Sequence, residues 1–269
     1  MNKYNRKFGI ETEFSSDKEK LIDLLEPILE NFPHNLLRPW GCSLGKKWEL
    51  KDDSSTECEL ASPIMSLKTK EYRLYKKIIK TLNKNKIKIT KNDGIHVHVD
   101  CRDVSREALL ITWILYEKPI LSILPYHRRK TNNYHNNDHY YDSYIGRKQI
   151  GTVAEIYDNA RETVDEHHTA LSFCYYNARK TIEFRSFPGT LNITDIEYWV
   201  SFCLSFVSYA KKCDNIANIA DMMCSSINDH DIFDVMDRFD IRDSKLVDWV
   251  TDMHDKNITS YKRKIKSWY

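Results

Sequence analysis

Four short stretches alternate ligand-type side chains with apolar ones. Side chains two apart in a strand share a face. In GIETEF, Glu11 and Glu13 point one way, and Ile10, Thr12 and Phe14 the other. In TECELASP, Glu57 and Glu59 share a face opposite Cys58 and Leu60. In GIHVHVD, His96, His98 and Asp100 oppose Ile95, Val97 and Val99. In TIEFRSF, Glu183 and Arg185 oppose Ile182, Phe184 and Ser186. If such strands are neighbours, the carboxylates crowd together, which costs energy unless cations compensate. Carboxylate oxygens with an occasional imidazole suit Mg2+ or Mn2+. Taken singly, each segment has a blander reading: a solvent-facing strand, a zinc or iron pair, or a salt bridge between Glu183 and Arg185. Together they point to a metal-centred site.

The elements that must position these groups can be read from the same chain. Arg6–Ser15 alternates as a strand. Asp17–Asn31 carries Leu21, Leu24, Leu25, Ile28 and Leu29 at helical spacing, with Ser16 or Asp17 as N-cap. Lys47–Lys51 and Glu57–Ile64 read as strands around a polar turn, and Lys68–Asn85 as a lysine-rich amphipathic helix whose charges form a solvated face. Ile87–Asp100 holds one or two strands around the hairpin-like Asn92-Asp93-Gly94. Val104–Leu124 is a helix interrupted at Glu117-Lys118-Pro119. Ala170–Tyr176 and Thr181–Phe187 read as strands joined by Asn177-Ala178-Arg179. From Asp195 the pattern is helical, through about four segments. Few strand pairs have room for a long crossover, so the expected class is α+β. Its sheet is antiparallel or mixed, packed by helices on one face, with a helical C-terminal part.

Composition narrows the function classes. With 41 Lys+Arg against 39 Asp+Glu in 269 residues, the net charge of +2 argues against a dedicated polyanion binder. An apolar content of 41% argues against disorder. The polar start lacks the apolar run of a secretory signal, and the longest apolar stretch is broken by charges, so a cytoplasmic protein with no membrane partner is expected. The cysteine count is odd and there is no CxxC pair, which fits reduced thiols better than disulfides or structural zinc. No glycine-rich phosphate loop exists, so any nucleotide must be bound another way. The basic end Tyr261–Tyr269 reads as a solvated last turn.

The ordered set GIETEF, WELKDDSS, ECELASP, GIHVHVD and KTIEFRSFPGT resembles the amidoligase family of carboxylate–amine ligases, within the glutamine synthetase and glutamate–cysteine ligase superfamily. The resemblance runs from about Phe8 to Trp199. It implies a glutamine synthetase-like catalytic domain over 1–212, with a helical extension over 213–269 packed on it. It implies metal ligation by Glu11, Glu13, Glu59 and Glu183, and a metal or nucleotide-phosphate contact from His96 and His98. Arg185 is implied to neutralise the transferring phosphoryl group and Asp53 to handle the amine. Ser55 is implied as a nucleotide contact in the turn after Trp48, and Ser62 and Pro63 complete the motif begun by Glu59. Arg128 and Arg129, followed by Asn132, Asn133 and Tyr134, resemble a loop in which an arginine meets substrate or phosphate; Thr190 and Trp199 continue the pattern. The implied cofactors are ATP and Mg2+ (or Mn2+), and the implied partners a small-molecule or peptide carboxylate and an amine acceptor. One departure stands out: the family's turn glycine is Ser54 here, which carries strain if that position needs φ > 0.

Such residues fit activation of a carboxylate by ATP as an acyl phosphate, followed by attack of an amine. Tyr126–Lys148 is rich in Tyr, His, Asn and basic residues. It reads as a flap over the site, as an irregular surface loop, or as a nucleic-acid contact in which aromatics stack on bases. Two alternatives to a ligase remain at this stage. One is a metal-dependent hydrolase using His96, His98 and the carboxylates to activate water. The other is a degenerate scaffold that binds nucleotide or a partner. Neither oligomeric state nor substrate identity is legible.

Overall fold

The computed structural model describes residues 5–38, 45–53, 56–128, 151–163 and 169–266. It divides into two compact units, the first made of Met1–Asp100 with Phe187–Ser201 and the second of Cys101–Ser186 with Phe202–Tyr269.

The first unit contains β1 (Phe8–Phe14), α1 (Lys18–Leu29), β2 (His34–Arg38), β3 (Trp48–Asp52), β4 (Cys58–Ala61), α2 (Lys70–Lys84) and β5 (Gly94–Asp100). Its strands lie in the order β2-β3-β4-β1-β5. The β2–β3 pair is parallel and the β3–β4, β4–β1 and β1–β5 pairs are antiparallel, so the sheet is mixed, as expected. The apolar side of each strand's alternation packs under helices. On α2, Tyr72, Tyr75, Ile78, Ile79 and Leu82 are buried at helical spacing. The Tyr72 ring meets Phe8 edge-on, and Tyr75 stacks on Trp48 while its hydroxyl shares a hydrogen bond of 2.8 Å with Thr12. Trp48 therefore belongs to the core. Helix α1 starts where Asp17 caps it, the carboxylate accepting from the Glu19 N–H.

Before β5 the segment Thr90–Asp93 is a turn and not a second strand. Asp93 is fully buried and organises it, accepting from the Ser15 hydroxyl at 2.8 Å and from the Thr90 N–H. Gly189 donates its N–H to the Asp93 carbonyl at 2.7 Å. A Cβ at Gly189 would lie 2.8 Å from both Cβ and O of Asp93. That approach explains a glycine after Pro188 without any appeal to catalysis. Gly189→Ala is expected to lower stability by about 1–3 kcal/mol, the usual cost of overpacking, read as the shift in a denaturant midpoint.

The second unit contains α3 (Arg106–Ser122), α4 (Val153–Thr163), β6 (Leu171–Ser172), α5 (Tyr176–Arg179), β7 (Thr181–Pro188), α6 (Ile193–Cys213), α7 (Ile216–Cys224), α8 (Ile232–Arg238) and α9 (Ser244–Lys266). The last residues of β7 and the first of α6 lie in the first unit. Helix α3 is buried nearly all round, as a helix apolar on all faces must be. Trp113, Phe184 and Phe206 meet edge-on, and Phe239 packs on Tyr116, Phe206 and Tyr209.

Three expectations change here, and two elements are new. Helix α3 runs straight through Glu117-Lys118-Pro119. The buried Glu117 accepts from the Trp113 indole at 3.2 Å, and Lys118 reaches outward to Asn228. The strand expected over Ala170–Tyr176 shrinks to Leu171–Ser172, because the chain then turns into α5 and ends it at Lys180 in the left-handed region (φ 54°). β2 was not foreseen, and neither was α4. β4 starts at Cys58, which leaves Glu57 exposed outside the strand. Among the described residues no helix is long and apolar enough to cross a membrane, and Cys58, Cys101, Cys174, Cys203, Cys213 and Cys224 are free thiols.

Candidate active site: a carboxylate-rich sheet face

Strand register in the first unit sets the polar face in rows. In one row Lys51 of β3 lies opposite Glu59 of β4, which lies opposite Glu13 of β1. In the next, Glu49 of β3 and Glu11 of β1 flank Ala61 of β4, and Glu11 lies opposite His96 of β5. Ala61 has only a methyl group there, so the carboxylates on either side have room to approach. In a third row Gly9 lies opposite His98. The alternation that sends Leu50, Leu60, Ile10 and Val97 into the core therefore gathers Glu11, Glu13, Glu49, Glu59, Lys51, His96 and His98 on the other face.

The distances make this one cluster. His98 Nε2 lies 3.2 Å from Glu11 Oε2, and His96 Nε2 lies 3.5 Å from Glu13 Oε1. Glu13 Oε2 accepts the Gly94 N–H at 2.6 Å. Lys51 Nζ lies 2.6 Å from Glu59 Oε1 and 3.7 Å from Glu11 Oε1. Glu11, Glu59 and His96 offer donor atoms within 4.8 Å of one another, and so do Glu13, Asp53 and Glu59. Magnesium–oxygen bonds near 2.1 Å put adjacent octahedral ligands about 3.0 Å apart and opposite ones about 4.2 Å apart, so side-chain movements of about 1 Å close either trio on an ion. Oxygen-rich trios, one of them with an imidazole, fit Mg2+ or Mn2+, and fit poorly a zinc site built on thiolates.

Burial sets the protonation of the cluster. Only 6% of Glu59 is exposed. Burial and the neighbouring Glu11 push its carboxyl up to about 8, against the opposing pull of the Lys51 ammonium. The 2.6 Å contact with Lys51 alone would hold Glu59 ionised; desolvation and like-charge repulsion outweigh it. Burial also pushes on Glu11, but His98, Lys51 and His96 together hold it well below the usual carboxylate range. The two have opposite linkage. Between the ordinary value of 4.5 and about 8 the native chain keeps a proton on Glu59 that the unfolded chain loses, so that contribution to stability falls as pH rises. The Glu11 contribution is present above 4.5 and fades as pH falls. A divalent ion bound by Glu59 must displace its proton. Mn2+ affinity is therefore expected to rise about tenfold per pH unit below pH 8 and level off above it, measured by calorimetric titration at several pH values.

The other sequence-assigned residues fall as follows. Asp53 Oδ1 accepts the Thr56 N–H at 3.0 Å, and Asp53 offers a carboxylate oxygen close to Glu13 and Glu59. The Ser62 hydroxyl accepts the Ile10 N–H at 2.8 Å and donates to the Pro63 carbonyl, a structural task at the end of β1. Trp199 is buried and stacks on Phe187. In the second unit, Glu183 and Arg185 share a face of β7 and form an ion pair, Glu183 being buried and Arg185 partly exposed. That pairing lies along one strand rather than across two. Arg128 is buried in a 3-10 turn at Tyr126–Arg128. Ser54, Ser55, Arg129, Asn132, Asn133, Tyr134 and most of the Tyr126–Lys148 segment lie outside the described residues. Sequence reading missed Lys51 and Glu49; the signal was their i, i+2 spacing on the strand WELKD.

Residues 40–207 match a family described as "Putative amidoligase enzyme". The chain belongs to that family. The match takes in Asp53, Glu59, His96, His98, Arg128, Glu183 and Arg185 of this amidoligase-family chain, while Glu11 and Glu13 precede it. No curated protein matches the chain. Among solved structures, the complex between the prokaryotic ubiquitin-like protein Pup and its ligase PafA is similar at 11% identity with a TM-score of 0.43, over 95% of this chain and 65% of that one. A bifunctional glutathione synthetase from Pasteurella multocida is similar at 10% identity with a TM-score of 0.37, over 94% of this chain and 48% of that one. The chain thus spans less than two thirds of either.

Proposed function

We propose that this amidoligase-family chain is an ATP- and Mg2+-dependent (or Mn2+-dependent) carbon–nitrogen ligase. It joins a small-molecule or peptide carboxylate to an amine through an acyl phosphate, in the cytoplasm. The observation that carries the reading is the convergence of Glu11, Glu13 and Glu59, with His96 beside them, on one rigid sheet face.

The chemistry explains that convergence. A carboxylate and a triphosphate repel each other, and a divalent ion supplies the charge that lets them meet in line. Glu11, Glu13 and Glu59 would hold such ions, with Glu183 as a further ligand, and His96 and His98 would contact an ion or a phosphate. Arg185 would meet the charge that develops on the transferring phosphoryl group. Arg128, Arg129 and Ser55 would position phosphate or substrate. Asp53 would take the proton from the attacking ammonium, since only the neutral amine is a nucleophile. A sheet holds Glu11, Glu13, Glu59, His96 and His98 more rigidly than loops would.

ATP turnover with Mg2+, with and without a pool of amino acids and polyamines, tests the reading. Amine-dependent ADP release supports it. Phosphoester cleavage without ATP would turn the assignment to the hydrolase. No turnover and no metal binding would sink both enzymes and favour a scaffold.

A further inference from the structure

Lys51 brings an ammonium into the buried cluster. It comes from β3, whose turn toward the polar face also brings Glu49. Only 7% of it is exposed. A lysine ammonium is strongly hydrated, and burying it is costly unless anions take the place of water. Here Glu11 supplies the anion, 3.7 Å from Nζ, and a Glu59 oxygen accepts from the ammonium at 2.6 Å. Register makes the first contact unavoidable, since Lys51 and Glu59 are directly opposite on paired strands. Glu11 and Glu59 are also two of the three donors of the Glu11–Glu59–His96 trio. The ammonium thus engages the same carboxylates that a divalent ion would need there.

We infer that Lys51 is a resident cation of the site. It takes the charge-balancing role of one divalent ion between Glu11 and Glu59, and it leaves Glu13 and Glu59, with the base Asp53 beside them, as the divalent station of the first unit. The inference deepens the ligase reading by fixing how the cluster divides its cations, but its evidence is metal counting and not turnover. A fixed ammonium cannot dissociate, so part of the carboxylate charge stays compensated at any metal concentration. The consequence is one divalent ion fewer per chain than the number of carboxylate trios suggests.

The test is Mn2+ binding to the full chain, counted by electron paramagnetic resonance of free Mn2+ and by calorimetry. Lys51→Met keeps length and removes charge; it is expected to bind one more Mn2+ per chain than wild type. Lys51→Arg keeps charge and is expected to bind the wild-type number. Equal counts in wild type and Lys51→Met, with both folded by circular dichroism, would overturn the inference. A second measurement needs no variant. Acylation of Lys51 in wild type, followed by mass spectrometry, is expected to be equally slow with and without saturating Mn2+. A several-fold acceleration by Mn2+ would mean the ion displaces the ammonium, which also overturns the inference. Absence of amine-dependent ADP release would contradict the ligase reading while leaving these counts to stand or fall on their own.

Discussion

Glu13→Gln is expected to cut amide-forming turnover by about 10³-fold or more while leaving the fold intact. Glu13 sits at the β1 end of the charged row, opposite Glu59, and belongs to the trio with Asp53 and Glu59. One of its oxygens accepts the Gly94 N–H at 2.6 Å, and the other faces His96 at 3.5 Å. Glutamine has the same shape and keeps an acceptor for Gly94, so β1 and β5 stay in register. What it loses is the charge that binds a cation. Because Glu13 lies among like charges, the variant is expected to melt at the wild-type temperature or slightly above it. Mn2+ binding should weaken in parallel with turnover. A variant with near-wild-type turnover would remove Glu13 from the site, and a large fall in melting temperature would recast it as structural.

Arg185→Ala is expected to lower turnover by about 10²–10³-fold, the usual loss when one donor to a developing anion is removed. Here the alternative is concrete, because Arg185 pairs with the buried Glu183 on the same strand. Removing one partner of a buried pair can cost about 3–5 kcal/mol; the exposed side of Arg185 lowers that figure. Arg185→Lys separates the two roles. It keeps the charge beside Glu183 and so the stability, but it loses the planar fork that grips a phosphoryl group. Turnover in Arg185→Lys should stay at least tenfold below wild type at unchanged melting temperature. If lysine restores both, the arginine serves only the ion pair.

Much of this arrangement was legible in the residues. The Asp17 cap, the buried stripe Tyr72–Leu82 of α2 and the two-faced alternation of β1 and β5 follow from local rules, and the structure keeps them. The four C-terminal helices were legible for the same reason. The mixed α+β class followed from the spacing of strands. What alternation cannot supply is register. That Lys51 meets Glu59, and that Ala61 separates Glu49 from Glu11, depends on which residues of β3, β4 and β1 lie opposite one another. Lys51 was not legible because its partners Glu59 and Glu11 lie on the next two strands, β4 and β1. The β2 strand was hidden by its length and by parallel pairing with β3. α5 was hidden because Tyr175, Tyr176 and Ile182 favour strands, while a left-handed Lys180 between them decides for a turn. Ser62, Trp48 and Trp199 show the opposite case: motif residues whose work is to hold the strand end and the core.

The proposed activity makes one demand that neither a hydrolase nor a scaffold shares: an oxygen of the substrate carboxylate must leave on phosphate. The direct measurement is ATP turnover with Mg2+ and a pool of amino acids and peptides carrying 18O in their carboxylates, with the released phosphate read by mass spectrometry. The account expects 18O in the phosphate, in step with ADP and amide. Phosphate released without label, or label independent of ATP, would contradict it.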